Sequence, residues 1–275
     1  MCRRSRGFHS FPGHLLSGHF TPGLALALAL AAWSTPALAY RPFDGTDAAV
    51  AKKGEIEIEL QPAGRLRDES GTSLIAPAAV INYGLSEDWE AVFEGQGQTS
   101  LSPLGPTSLT AAGAFLKHVI VPGSLQAKTG PSIATEFGML FPDSTGNSGV
   151  GVSLAGIVSQ RWDWGTIHLN VETAVTRDHH GDVFLGTIIE GPATWTVRPV
   201  AEIFYENEFG KQETFSGLVG LIYRVRDDLS FDVAIRHAFT GGHAVNEIRA
   251  GLTFGFPLSL FEGHAAHQAP SNLPR

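Results

Sequence analysis

The sequence predicts an all-β protein, an antiparallel transmembrane β-barrel of about 12 strands, and three observations predict it. The first is the run from Asn246 to Phe256, where Ile248, Ala250, Leu252, Phe254 and Phe256 share one parity and Glu247, Arg249, Gly251, Thr253 and Gly255 the other. Side chains on a strand alternate faces, so this run has one apolar face and one polar or minimal face. The second is that most of the chain before it repeats the pattern. The third is that beyond residues 1–39 no apolar run approaches the roughly 20 residues of a membrane helix. Only helices and closed barrels satisfy their backbone groups in lipid, so a membrane reading requires the barrel.

Residues 40–54 are polar and irregular and read as a short periplasmic lead-in. The barrel is expected over 55–256. Glu55 to Leu60 alternates strictly, with Ile56, Ile58 and Leu60 outward and the glutamates inward. Arg65 to Ser73 reads as a polar loop before a strand from Leu74 to Leu85. Ser86-Glu87-Asp88 turns into Trp89 to Thr99, where Trp89, Ala91 and Phe93 oppose Glu90, Val92, Glu94, Gln96 and Gln98. Pro103 and Pro106 make Ser100 to Ser108 a breaker-rich loop. Leu109 to Val121 alternates weakly, and Pro122-Gly123 turns it into the strand around Ser132 to Phe141. Two strands, Gly149 to Arg161 and Thr166 to Val175, flank the turn Trp162-Asp163-Trp164-Gly165. Val183 to Glu190, Thr194 to Glu206, Glu213 to Val225 and Leu229 to Arg236 follow, the second of them carrying Pro199, which cannot donate to a ladder. Residues 257–275 form a tail without pattern.

Two further signals favour a membrane barrel over a secreted, soluble β-sheet binding protein. Connections after odd-numbered strands read as longer and more polar than those after even-numbered ones, as outer loops and periplasmic turns would be. Aromatics including Tyr83, Trp89, Trp162, Trp164, Trp195, Tyr205 and Tyr223 fall near predicted strand ends, where interface girdles lie.

Residues 1–39 combine Arg3, Arg4 and Arg6 with the apolar run from Leu24 to Trp33 and the exit Pro36-Ala37-Leu38-Ala39. That is the layout of a secretory signal peptide cleaved after Ala39. The lone cysteine, Cys2, falls within it, so the mature chain would have no disulfide scaffold, thiolate metal site or catalytic cysteine. Removing the leader takes 19 basic residues to 16 against 27 acidic ones, a surface that repels nucleic acid. The expected location is the bacterial outer membrane, with outer-membrane lipid and the barrel-assembly machinery as partners and no cofactor.

The run Arg249-Ala-Gly251-Leu-Thr-Phe254-Gly-Phe256 resembles the signal by which outer-membrane assembly selects barrels. The resemblance assigns Arg249, Gly251, Phe254 and Phe256 to that role, here followed by a tail. Tyr40 to Ala49, Lys53 to Glu59, Val80 to Leu85, Ala201 to Phe204, Gly220 to Arg224 and Gly251 to Phe256 together resemble the transporter-like outer-membrane family labelled MetA-pathway of phenol degradation. That resemblance implies a barrel concerned with uptake or passage of small aromatic or apolar compounds.

With this facing, the lumen-lining candidates are Glu57, Glu59, Glu90, Glu94, Glu136, His168, Glu172, Arg198, Glu202, Glu206, Arg224, Arg236 and Arg249. Such groups either form ladders that fill a narrow barrel or line a conduit whose charges select solutes. One pair suggests an enzyme, an outer-membrane barrel lipid hydrolase: the turn at Asp163 places Ser159 nearly opposite His168. Glu172, about 13 Å further along the strand, cannot orient that histidine, so no catalytic residue is assigned. His179, His180, His243, His264 and His267 lack the spacing of a metal site, and none is assigned. The function these readings converge on is a channel that passes or binds small solutes.

Overall fold

The computed structural model describes residues 41–146 and 148–258. The leader and the tail beyond residue 258 lie outside the described residues. Within them twelve strands close into one antiparallel barrel: β1 (Glu55–Asp68), β2 (Gly71–Gly84), β3 (Trp89–Ser102), β4 (Leu104–Val121), β5 (Ser132–Leu140) and β6 (Gly151–Trp162) form one half. The other half is β7 (Gly165–Val175), β8 (Gly181–Glu190), β9 (Val197–Glu208), β10 (Gln212–Arg226), β11 (Leu229–Thr240) and β12 (His243–Pro257). Every strand pairs with its sequence neighbours, and β1 closes on β12 with Glu55 opposite Pro257 and Leu60 opposite Leu252. No strand edge is left open, which is the condition for a sheet in lipid.

The alternation decides the two faces. On β10, Thr214, Ser216, Leu218 and Ile222 point inward and are buried, while Phe215, Val219, Leu221 and Tyr223 point outward and are exposed. On β12, Glu247, Arg249, Gly251 and Thr253 face the interior. The outer wall carries Phe93, Leu154, Val171, Ile203, Val219, Ile235 and other large apolar side chains, with Ile203 58% exposed. An apolar surface of that extent all round a molecule is stable against lipid and not against water, which removes the soluble-module alternative. Among the described residues no helix is long and apolar enough to cross a membrane.

Three sequence readings are corrected. The stretches from Arg65 to Ser73 and from Ser100 to Ser108 are not loops: β1 runs into β2 across residues 69–70, and β3 into β4 across Pro103. Here the wall continues past its apolar band, and a strand in water on both faces has no reason to alternate. The parity of connection lengths disappears with it, because the connection at 122–131, after an even-numbered strand, is among the longest. That connection carries a 3-10 turn at Ser124–Gln126. The third correction concerns the lead-in. Residues 41–51 do not hang outside the barrel; they run inside it, held by side chains from β1 round to β12.

Prolines fit the wall where the ladder slips. The β1–β12 register shifts between Leu60 and Ala63, and the β2–β3 register between Ile75 and Ala78, so Pro62 and Pro77 occupy positions from which no ladder donor is required. Pro199 lies beyond the last β8–β9 pair, Glu190 with Val200, and its carbonyl accepts from Gly191 N–H.

Candidate functional site

The interior is divided by the segment 41–51. It enters from the end where β1 starts and β12 stops, and the wall grips it through its main chain. Glu202 on β9 accepts the N–H groups of Asp44 (2.8 Å) and Gly45 (2.7 Å) on its two carboxylate oxygens. Asn170 on β7 accepts Thr46 N–H at 2.9 Å, Ser159 on β6 accepts Ala48 N–H at 2.9 Å, and Glu90 on β3 accepts Ala51 N–H. In the other direction, Arg249 on β12 donates to Pro42 O and Gln126 in the 3-10 turn donates to Ala48 O, both at 2.8 Å. A chain without regular structure thus has its buried peptide groups satisfied by side chains.

Ion pairs reinforce the grip. Arg249 reaches Asp44 at 2.8 Å and Glu247 at 2.9 Å, and Arg41 reaches Asp232 at 3.3 Å. Lys117 on β4, 3% exposed, lies 3.9 Å from both Asp47 of the segment and Glu90 of the wall, and donates to Thr46 Oγ1 at 3.0 Å. Arg41 rests on Gly251, where an added Cβ would come within 2.3 Å of its Nε. The glycine of the closing strand therefore has a packing reason of its own. A small apolar knot of Ala48, Ala134 and Ile157, with Leu125 against it, seals the segment to β5 and β6.

Ser159 and His168 meet as expected, Oγ to Nδ1 at 2.8 Å, and the acid that orients the histidine is Glu190 on β8, 3.0 Å from Nε2 and paired in turn with Arg198 at 3.1 Å. Order along the chain resembles a nucleophile, base and acid. Ser159 is fully buried, however, and its oxygen is already taken by Ala48 N–H. The relay works as a clamp: with the proton on Nε2 facing Glu190, Nδ1 accepts the serine hydroxyl and leaves Oγ free to accept from the segment.

A cavity of about 1190 Å³ runs along the segment, with Asp44, Thr46, Asp47 and Val50 of the segment forming part of its lining. Glu57, Glu59, Glu90, Glu94, Glu136, Glu172, Glu206 and Arg236 line it, together with Asn170, Asp182, Phe115, Phe184 and Phe204. Of the remaining candidates, His168 and Arg198 belong to the clamp, and Glu202 and Arg249 hold the segment; Arg236, in the cavity lining, also bonds Glu247 at 3.1 Å. Arg224 does not join them. It is exposed at the strand end and donates to the carbonyls of Ala193 and Thr194 in the β8–β9 connection. Among the described residues no group of three or more His, Cys, Asp or Glu could hold a metal ion. His180 contacts Phe209 O and His243 pairs with Glu69, while His264 and His267 lie outside the described residues.

Sequence reasoning missed Lys117, Gln126, Asn170, Glu190 and Asp232. Lys117 sits in the weakly alternating β4, and Gln126 lies just beyond Pro122-Gly123, which alone reads as the turn. The signal that could have found Lys117 is its place as the sole cation in that strand, opposite Glu136 and Glu90 once the hairpins are folded.

No family model matches the chain, and no curated protein matches it. Solved structures do match in fold. An outer-membrane channel from Pseudomonas putida F1 superposes with a TM-score of 0.56 at 8% identity, over 78% of this chain and 100% of that one. The NanC porin gives 0.54 at 8% identity over 72% and 98%, and the KdgM porin in complex with disordered oligogalacturonate gives 0.50 at 12% identity over 74% and 99%. The chain has the fold of outer-membrane channel barrels.

Proposed function

We propose that this protein is an outer-membrane channel that passes or binds small solutes, with the segment 41–51 setting the aperture. The observation that carries the proposal is the strap across the bore: it is held by main-chain hydrogen bonds, and a cavity lined by the strap and by wall carboxylates runs along it. An apolar outer wall around a charged, hollow interior suits solute passage, since filled small barrels leave no such volume. The resemblance to the MetA-pathway family points towards small aromatic or apolar compounds, and the phenylalanines in the cavity lining support it. The clamp geometry at Ser159 supports a non-enzymatic role over lipid hydrolysis.

The test begins with the outer-membrane fraction on a gel, boiled and unboiled, where a folded barrel shifts on heating. Purified protein in a planar bilayer is then compared with a variant lacking residues 42–51. Conductance that rises on deletion supports the aperture. Recovery from the soluble periplasmic fraction with no heat shift would discard the channel.

A further inference from the structure

Among the described residues, Arg65 and Arg67 on β1 are the only lysines or arginines of the strands that face outward without a partner. The others point inward, as Arg249 does, or are bonded at a strand end, as Arg226 is to Asp228. Register fixes the facing of the pair: Gly64 between the faces is buried, Arg65 stands opposite the outward Ile248, and Arg67 stands opposite the outward Asn246. The acids next to them in sequence are already engaged, Asp68 by the N–H groups of Ser70 and Gly71 and Glu69 by His243. Two more groups complete the patch. His237 on β11 lies across from Asn246, Nδ1 to Oδ1 at 2.8 Å, with Phe239 edge-on to its ring at 5.0 Å. With Oδ1 taken, the amide N–H groups of Asn246 are left beside Arg67. Towards the middle of the wall the same face is apolar. Ile248 and Leu74 flank Arg65, Ile235 adjoins Ile248, and Ala63 stands opposite Ala250.

We infer that this patch docks a phosphorylated, multiply acylated glycolipid of the outer leaflet, with its phosphates on Arg65 and Arg67 and its acyl chains on Ile248, Leu74 and the wall below. The inference rests on the outer-membrane seating in the channel reading and adds a lipid partner to it. Charge selects the headgroup: the chain has 27 acidic and 19 basic residues, and here two guanidiniums at the margin of the apolar band have no acid of the protein to meet. A phosphate monoester fits the planar guanidinium fork with paired, charge-assisted hydrogen bonds. Successive outward positions on a strand lie about 7 Å apart. The two arginines can therefore close on one phosphate or take the two phosphates of one sugar headgroup. A zwitterionic headgroup brings its own cation and gains little from another. The leaflet follows from position, since the pair stands at the rim away from the start of β1 and the end of β12. There the strands run past the apolar band, as they do on the extracellular side of such barrels.

The experiment places the folded full barrel in phosphatidylethanolamine vesicles that carry a small fraction of one test lipid: lipid A with both phosphates, lipid A with neither, or phosphatidylglycerol. After extraction in mild detergent, native mass spectrometry counts the lipid that stays on the barrel. Bisphosphorylated lipid A should be retained at least about tenfold over each of the other two. The variant carrying Arg65→Gln and Arg67→Gln should fall to the phosphate-free level, and Arg67→Gln alone should fall part of the way. Both substitutions are at exposed positions, and an intact heat shift on the gel shows that the barrel has formed. Arg226→Gln, at the opposite rim, should retain lipid A as the wild type does. Equal retention of lipid A and phosphatidylglycerol overturns the proposal by showing that any anionic lipid suffices, and undiminished retention in the double variant overturns it by clearing the arginines. A barrel that conducts but keeps no lipid A retains the channel reading and loses the site. One that keeps lipid A and conducts nothing retains the site and loses the channel.

Discussion

Lys117 shows how much of this interior depends on single side chains. Its ammonium stands between Asp47 of the segment and Glu90 of the wall, 3.9 Å from each, with 3% of the residue exposed. Removing one partner of a buried ion pair leaves the others uncompensated, and the loss is typically about 3 kcal/mol or more. Lys117→Ala should therefore lower the barrel's resistance to urea in lipid by about that amount. It should also expose the backbone near Asp47 to limited proteolysis; a variant with wild-type unfolding and no new cleavage would show that Asp47 and Glu90 find other partners. Neighbouring groups illustrate which single residues alternation reveals. Glu59, Glu90 and Glu202 were placed on the inner face by parity alone, since their strands alternate cleanly. Lys117, Asn170 and Glu190 take their importance from what lies opposite them across strands and from the segment they touch, and no local pattern contains that information.

At the scale of elements, the hairpin ends away from the termini are tied by charge. Lys211, between β9 and β10, donates to Asp178 in the β7–β8 connection and to Glu208 at 3.2 Å. The hydrogen bond from Lys211 holds the Asp178 carboxyl below its ordinary value, and the same contact raises Lys211. A depressed aspartate stabilises the fold above its unfolded value of 3.8 and loses that contribution as pH falls through the folded value. A raised lysine contributes below 10.5 and loses it as pH rises through its folded value. Protection of residues 176–180 and 209–211 from a protease with a broad pH range should thus stay level between about pH 5 and about pH 9 and fall only in stronger acid or stronger base. A decline already at about pH 5 to 6 would show that the Lys211 contact does not carry the protection. Elements were read well where lipid imposes a period and poorly where it does not. The closing strand was found from its parity, while the hairpin extensions at Arg65 to Ser73 and Ser100 to Ser108 looked like loops because water wets both of their faces.

For the whole molecule, the outer wall is a single apolar band closed on itself, and its cost for charge depends on depth. Val219 lies midway along β10 and is 56% exposed, whereas Val225 sits near the strand's end. Arginine at the first position should destabilise the barrel by about 2–4 kcal/mol in lipid, and at the second by no more than about 1 kcal/mol. Urea unfolding in bilayers of known thickness measures both, and equal penalties at the two sites would mean that the band is centred elsewhere. The closed barrel itself was legible from alternation and from the lack of any spanning helix. The strap inside it was not, for a physical reason: an aqueous lumen and the periplasm ask for the same polar composition, so residues 41–51 look alike in either place.

That strap is held mostly by atoms every residue shares. The wall accepts the N–H groups of Asp44, Gly45, Thr46, Ala48 and Ala51 and donates to the carbonyls of Pro42 and Ala48. Side-chain identity is therefore written on the wall, at Glu202, Asn170, Ser159 and Glu90, and on the strap at Arg41, Asp44 and Asp47, which carry its ion pairs, and at Gly45, where a Cβ would come within 3.1 Å of Glu202. Substitutions can accumulate at the other strap positions, such as Ala49 and Val50, which line the cavity, while its path stays put, so a bore of this kind could change what it admits without rebuilding the barrel around it.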